Sequence, residues 1–284
     1  MQERWLDVIG ADGVRLRVRE LAGPTPGAPG LLLHHGLASS QRIWDRMLPR
    51  LTRTFRVVTY DARGHGLSGK PASGYGFDHV VADGLAVLRR TRLRRPIIAG
   101  HSWGAMAALE LAVAHPRVLR GLALIDGGVA PPDGKEPWPA FKSRLAPPAL
   151  AGMPLEDFRA GMRRSSPVPV TPELEDLFLS LMRVDALDRI HPRLSRSNHF
   201  RILHAIWQQD PPVLYRRLRT PTLAILARGQ DPAWDASKAA GVAAMETAGV
   251  PLEVAWIRGV HDLPIQYPGR MAGLLERFSA AAVG

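Results

Sequence analysis

Residues 4–9 and 14–21 alternate apolar and polar positions on either side of Ala11-Asp12-Gly13, the period of two expected of an antiparallel hairpin. After a loop rich in Pro and Gly the pattern changes. Short continuous apolar runs at 31–33, 55–60, 96–99, 119–125 and 221–227 predict strands buried on both faces, and 252–257 is expected to be a further strand. Stretches with helical spacing separate them: Ile43, Met47 and Leu51, then 78–90, 106–114 and 236–248, with a closing helix at 268–282. Strand and helix in alternation predict an α/β fold, a mostly parallel central sheet with helices on both faces.

Between Asp126 and Pro221 this alternation stops. Only helical spacing remains, at 138–145, 155–162, 172–183 and 197–208, punctuated by prolines such as Pro131, Pro132, Pro147 and Pro148. A helical stretch dropped between two sheet strands reads as a cap over the edge where the strands end. The expected organisation is therefore a core from 1 to 128, a helical cap (lid) from 129 to 216, and the rest of the core from 217 to 284. Most cap aromatics, Trp138, Phe141 and Phe158 among them, are expected to pack within the cap.

Composition narrows the chemistry. With 284 residues, 46% hydrophobic and 22% charged, the chain has the balance of a globular protein with ample core. It has no cysteine, which excludes a disulfide scaffold, thiolate metal sites and a Cys nucleophile. A formal charge of +11 raises nucleic acid as a partner, but the basic residues are scattered apart from Arg89, Arg90, Arg92, Arg94 and Arg95, which read as a solvated helix end. No nucleic-acid partner is expected. Uncharged stretches at 21–41 and 96–109 are broken by prolines or too short to span a bilayer, and the first residues lack a signal-peptide pattern, so a cytoplasmic location without a membrane span is expected.

Gly100-His101-Ser102-Trp103-Gly104 lies directly between an apolar strand and a helix, the context that gives Gly-x-Ser-x-Gly its meaning as a nucleophile turn. Here the chain resembles the α/β-hydrolase superfamily, and the resemblance covers nearly everything outside the cap. It implies an oxyanion hole from the backbone N–H groups of Leu37, in His35-Gly36-Leu37, and Trp103. It implies a structural loop at Asp61 to Ser68, with no catalytic role for His65. It also implies a triad in the chain order Ser102, Asp231, His261, each after a strand. A serine hydroxyl attacks only when an imidazole takes its proton, and the imidazole needs a carboxylate to fix its tautomer. Asp126, after the 119–125 strand, is the rival acid, a position some relatives use; Asp231 is preferred.

Ser102 where haloalkane- and epoxide-opening relatives carry Asp argues against those activities. No phosphate loop, dinucleotide fingerprint or His-Glu-x-x-His pair is present, so no cofactor or metal is implied. The expected activity is a serine hydrolase acting on a small, largely apolar ester or lactone. A carbon–carbon bond hydrolase or an aminopeptidase is the alternative, and a receptor-like binding protein stands behind both. Candidate substrate contacts are His35, Trp207, His204 and Leu263, with His199 and Gln208 on the same cap helix as His204.

Overall fold

The computed structural model describes residues 2–129 and 136–281. The predicted hairpin is β1 (Glu3–Ile9) and β2 (Arg15–Leu21), registered from Glu3 opposite Leu21 to Ile9 opposite Arg15. β3 (Gly30–His34), β4 (Arg56–Tyr60), β5 (Ile97–His101) and β6 (Gly121–Ile125) follow. The inserted segment carries β7 (Met153–Pro154), β8 (Met182–Val184) and β9 (Arg189–Pro192), after which β10 (Thr222–Arg228) and β11 (Leu252–Arg258) complete the main sheet. Its order is β1-β2-β4-β3-β5-β6-β10-β11. Pairing is antiparallel only for β1 with β2 and β2 with β4, and parallel elsewhere, as the apolar runs imply.

The side chains of these strands sort alternately to two cores. Leu32, Val58, Ile98, Leu122, Leu124 and Leu226 face one side, Leu31, Leu33, Val57, Ile97, Ile125 and Ile225 the other, all but completely buried. The continuous apolar runs are thus the inner strands, covered on both faces, while the edge strands β1 and β11 keep exposed positions. The helices in chain order are α1 (Leu48–Leu51), α2 (Phe77–Thr91), α3 (Trp103–Ala114), α4 (Trp138–Arg144), α5 (Leu155–Ser165) and α6 (Pro172–Leu179). Then come α7 (Arg196–Gln208), α8 (Pro211–Arg217), α9 (Pro232–Thr247), α10 (Leu263–Gln266) and α11 (Pro268–Ala281). α2, α3 and α9 cover one face through Val80, Leu111 and Val242, while α1 and α11 cover the other through Leu51, Met271 and Leu275. The helix predicted from Ile43, Met47 and Leu51 is broken into a 3-10 turn at Gln41–Trp44 and the single turn α1, which has a proline in its first turn.

The insertion is not purely helical, contrary to the sequence expectation. β7, β9 and β8 form a small antiparallel sheet beside α4 to α8. Strands of two to four residues are too short to show alternation, and the turn joining β8 to β9 is made locally, Asp185 Oδ1 accepting the Leu187 and Arg189 N–H groups. The helix predicted at 172–183 ends at Leu179 for this reason. Leu174 and Leu177 of α6 join one core, and Ile202, Leu214 and Tyr215 of α7 and α8 join the other. Pro131, Pro132 and the predicted helix end at 282 lie outside the described residues. Among the described residues no helix is long and apolar enough to cross a membrane.

Candidate active site

β5 ends at His101, and Ser102 adopts φ 55° and ψ −122° before α3 starts at Trp103. This left-handed backbone on a non-glycine residue is strain of the kind stored at functional turns. The turn closes because Gly104 has no side chain: a Cβ there would lie 2.3 Å from the His34 carbonyl oxygen and 2.5 Å from that of His35. Ser102 is thereby held at the carboxyl edge of the sheet.

His261, after β11, reaches the same edge. Its Nε2 lies 2.9 Å from Ser102 Oγ and its Nδ1 is 2.7 Å from Asp126 Oδ2. Since an ionised carboxylate only accepts, Nδ1 carries the proton and Nε2 presents its lone pair to the serine hydroxyl. Asp126, directly after β6, has φ 44° and a side chain only 1% exposed. Its Oδ1 accepts from the Ala227 N–H of β10 at 2.9 Å and from Lys238 Nζ of α9 at 2.8 Å.

The expectation that Asp231 orients His261 is therefore corrected. Asp231 is exposed and caps α9, its Oδ1 accepting the Ala233 N–H at 2.9 Å and the Trp234 N–H at 3.3 Å. With Pro232 in the first turn, Asp231-Pro232 was already a helix-start signal. Asp126-Gly127-Gly128 carried the opposite signal, a carboxylate on a sharp turn at a strand end. A Cβ on Gly127 would meet the Ser102 carbonyl oxygen at 2.3 Å, so this turn and the serine turn pack directly together. Sequence reasoning missed Lys238 altogether, since a single lysine within a helix gives no signal.

Burial raises the proton affinity of Asp126, but the hydrogen bonds from His261 and Lys238 outweigh it and hold the carboxyl below its ordinary range. His101, fully buried, is pushed down to about 4 by burial and by the neighbouring His261. Its neutral ring donates through Nε2 to the His261 carbonyl at 2.9 Å and so braces the loop that carries His261.

Gly36, before Leu37, lies against the Ser102 side chain and Trp103 follows Ser102; among the described residues no backbone carbonyl takes up the N–H of Leu37 or Trp103. The loop of Leu37 is supported from beneath. His65 donates through Nδ1 to the Arg63 carbonyl, accepts the Ala38 N–H on Nε2 at 3.2 Å, and stacks on Trp103 with ring centroids 5.3 Å apart. Asp61 accepts from the Gln41 and Leu67 N–H groups, and buried Arg63 pairs with Asp83. The loop from Asp61 to Ser68 is thus structural in its bonding, as expected.

None of the four expected substrate contacts lines the cavity beside this loop. His35 is fully buried, Nδ1 donating to the Gly36 carbonyl and Nε2 accepting the Ala62 N–H, which makes it a brace. His204 and Trp207 pack against Trp138 of α4, and Leu263 is wholly within the core. The cavity measures about 190 Å³. Ala38, Ser39, His65 and Gly66 line it from the core, and Pro147, Leu150, Leu181, Met182, Arg193 and His199 are among the residues that close it from the insertion. His199 lines this cavity, and its helix neighbour His204 does not.

The sequence pattern of the alpha/beta hydrolase family matches residues 31–274. The 2-(acetamidomethylene)succinate hydrolase of Mesorhizobium japonicum is 36% identical over 114 residues, 40% of this chain and 39% of that protein, so the match spans well under half of the relative's length. The putative carbamate hydrolase RutD of Yersinia enterocolitica is 28% identical over 207 residues, 72% of this chain and 71% of that protein. The solved structure of an E-2-(acetamidomethylene)succinate hydrolase superposes with a TM-score of 0.78 at 22% identity, covering 98% of this chain and 100% of that one. Matched along most of its length and folded as that hydrolase is folded, the chain belongs to the alpha/beta hydrolase family.

Proposed function

We propose that this hydrolase cleaves a small, largely apolar carboxylic ester or lactone through an acyl-enzyme on Ser102. The observation that carries the reading is the unbroken hydrogen-bond chain from Ser102 Oγ through His261 to Asp126. His261 Nε2 takes the hydroxyl proton as Oγ attacks the carbonyl carbon, and Asp126 stabilises the imidazolium that forms. The oxyanion develops toward the free N–H groups of Leu37 and Trp103, donors already fixed before reaction. The imidazolium then protonates the departing alkoxide. In the second half His261 removes a proton from water, the hydroxide attacks the acyl carbon, and the proton returns to Ser102 as the acid leaves.

Ser102 itself does not line the cavity, but Ala38 follows Leu37 and His65 stacks on Trp103, so the acyl site of this reading is the cavity that the inserted segment, taken as a cap, closes. A cavity of about 190 Å³ is below the roughly 300–1,000 Å³ of drug-sized ligand sites, and its prolines, leucines and methionine suit an apolar group. The series of p-nitrophenyl esters from acetate to dodecanoate tests this. kcat/KM is expected to climb up to about fourfold per carbon, the value of about 0.8 kcal/mol per methylene, then fall once the cavity is full. Ser102→Ala should abolish turnover and labelling by a serine-directed phosphonate; a flat series, or label at another serine, overturns the reading.

A second reading is favoured by Arg193 and Arg196, which line the same cavity and, among the described residues, bond to the Ser180 and Pro147 carbonyls rather than to a carboxylate. They suit a substrate that carries a carboxylate, as the succinate derivative named for the Mesorhizobium relative does. Amide and carbon–carbon substrates bearing a carboxylate belong in the same assay, where Arg193→Met should raise KM for them and leave apolar esters unchanged. Among the described residues no Asp or Glu lines this cavity, so it offers the aminopeptidase alternative no anchor for an amino group.

A further inference from the structure

Lys238 is the second partner of Asp126. Its side chain is 6% exposed on α9, and its Nζ donates to Asp126 Oδ1 at 2.8 Å and to the Ala227 carbonyl at 2.6 Å, with the Trp234 ring 5.8 Å away. Burying an ammonium is costly unless it is paired and hydrogen-bonded, and here both conditions are met by groups at the catalytic edge. The carboxylate is held on both oxygens: Oδ1 by Lys238 and the Ala227 N–H, Oδ2 by His261. Its plane cannot rotate without breaking a buried bond. The carboxylate serves two cations during turnover, the permanent ammonium and the transient imidazolium.

We propose that Lys238 is a positioning residue of the catalytic site, which fixes the Asp126 carboxylate toward His261 and offsets part of the negative charge that this carboxylate presents to the imidazole. The inference rests on the triad reading above. Among the described residues, His261 faces Asp126 after β6 and the ring of His101 from β5 with centroids 4.9 Å apart, and Asp262, which follows it in the chain, acts on His101. His101 stays neutral, and Asp235, also on α9, is committed to the Gly229 N–H. Lys238 is therefore the permanent positive charge on the carboxylate that stabilises the imidazolium. A like charge near a titrating group disfavours its charged form, so removing the ammonium must favour the imidazolium.

The test is to titrate the histidine ring carbons by NMR in the ligand-free protein and in Lys238→Met and Lys238→Arg, alongside the acid limb of kcat/KM. In Lys238→Met the protonation midpoint of His261 and the acid limb should both move up by about one pH unit, a tenfold loss of base at a fixed acidic pH. Lys238→Arg should keep both near wild type. Should Lys238→Met fail to fold, Lys238→Gln carries the same test, since it keeps an N–H for the Ala227 carbonyl and loses the charge. A folded Met or Gln variant with lowered Tm but an unmoved midpoint makes Lys238 a structural anchor of α9 and overturns the proposal. An Arg variant that shifts as far as Met overturns it equally. The NMR midpoint needs no substrate, so a failure of ester hydrolysis and a failure of this inference are distinguishable.

Discussion

Replacing Asp126 by Asn discriminates most sharply between the two candidate acids, and the hydrogen bonds dictate the outcome. An amide has one oxygen for the three donors that the carboxylate accepts: Lys238 Nζ, the Ala227 N–H and His261 Nδ1. Turning the amide nitrogen toward Lys238 would set donor against donor beside a buried ammonium, where an unpaired charge costs about 3–5 kcal/mol. The oxygen therefore stays with Lys238 and the NH₂ faces His261, which must offer a lone pair at Nδ1 and carry its proton on Nε2. Nε2 can then no longer accept from Ser102. The same inversion in a serine protease lowers kcat by about 10⁴, or about 5.5 kcal/mol of transition-state stabilisation. Asp126→Asn should also lose stability, because the ammonium keeps its hydrogen bonds but no counter-charge. Asp231→Asn should do neither, since Asn caps a helix about as well as Asp and the residue is solvent-exposed. The assay is kcat/KM on p-nitrophenyl acetate, normalised to folded protein by circular dichroism. Asp126→Asn retaining activity within about tenfold, or Asp231→Asn losing as much as Asp126→Asn, would refute the reasoning.

Gly127→Ala forces a methyl group against the Ser102 carbonyl oxygen and should cost about 1–3 kcal/mol by thermal denaturation, together with most of the activity. Stability should also fall steeply in mild acid. His34 and His101 are buried and their folded values are depressed, by burial first and neighbouring histidines second, to about 3 and about 4 from 6.5, while His35 and His65 are lowered mainly by burial. The unfolded chain takes up protons below the ordinary value and the folded chain does not, so each costs about 1.4 kcal/mol per pH unit as pH falls from the ordinary toward the depressed value. Asp126, also depressed, adds its loss only at lower pH, as it passes through its folded value. Urea denaturation from neutral to mildly acidic pH checks the slope; stability unchanged down to about pH 5 would contradict neutral buried histidines.

Much of this protein is legible along the chain. Uninterrupted apolar strands could only be buried on both faces, and alternation at 4–9 and 14–21 could only be a hairpin, because the period of side-chain direction is local. Ser102 and His261 were legible as residues on sharp turns at strand ends. The acid was not. Asp126 and Asp231 both follow strands, and the difference between them lies in what the next turn does: Pro232 starts a helix that absorbs the Asp231 carboxylate, while Gly127 lets Asp126 fold back on the sheet edge. Whether a carboxylate meets a histidine 135 residues away depends on β6, β10 and β11 being neighbours, and strand order is not written in any local pattern. The same holds for Lys238, which comes to Asp126 only because α9 packs beside β10, and for the cavity, whose walls come from segments far apart in sequence. Local periodicity fixes elements because it reports which side of each is dry; the site needs distances between elements, and only their packing supplies those.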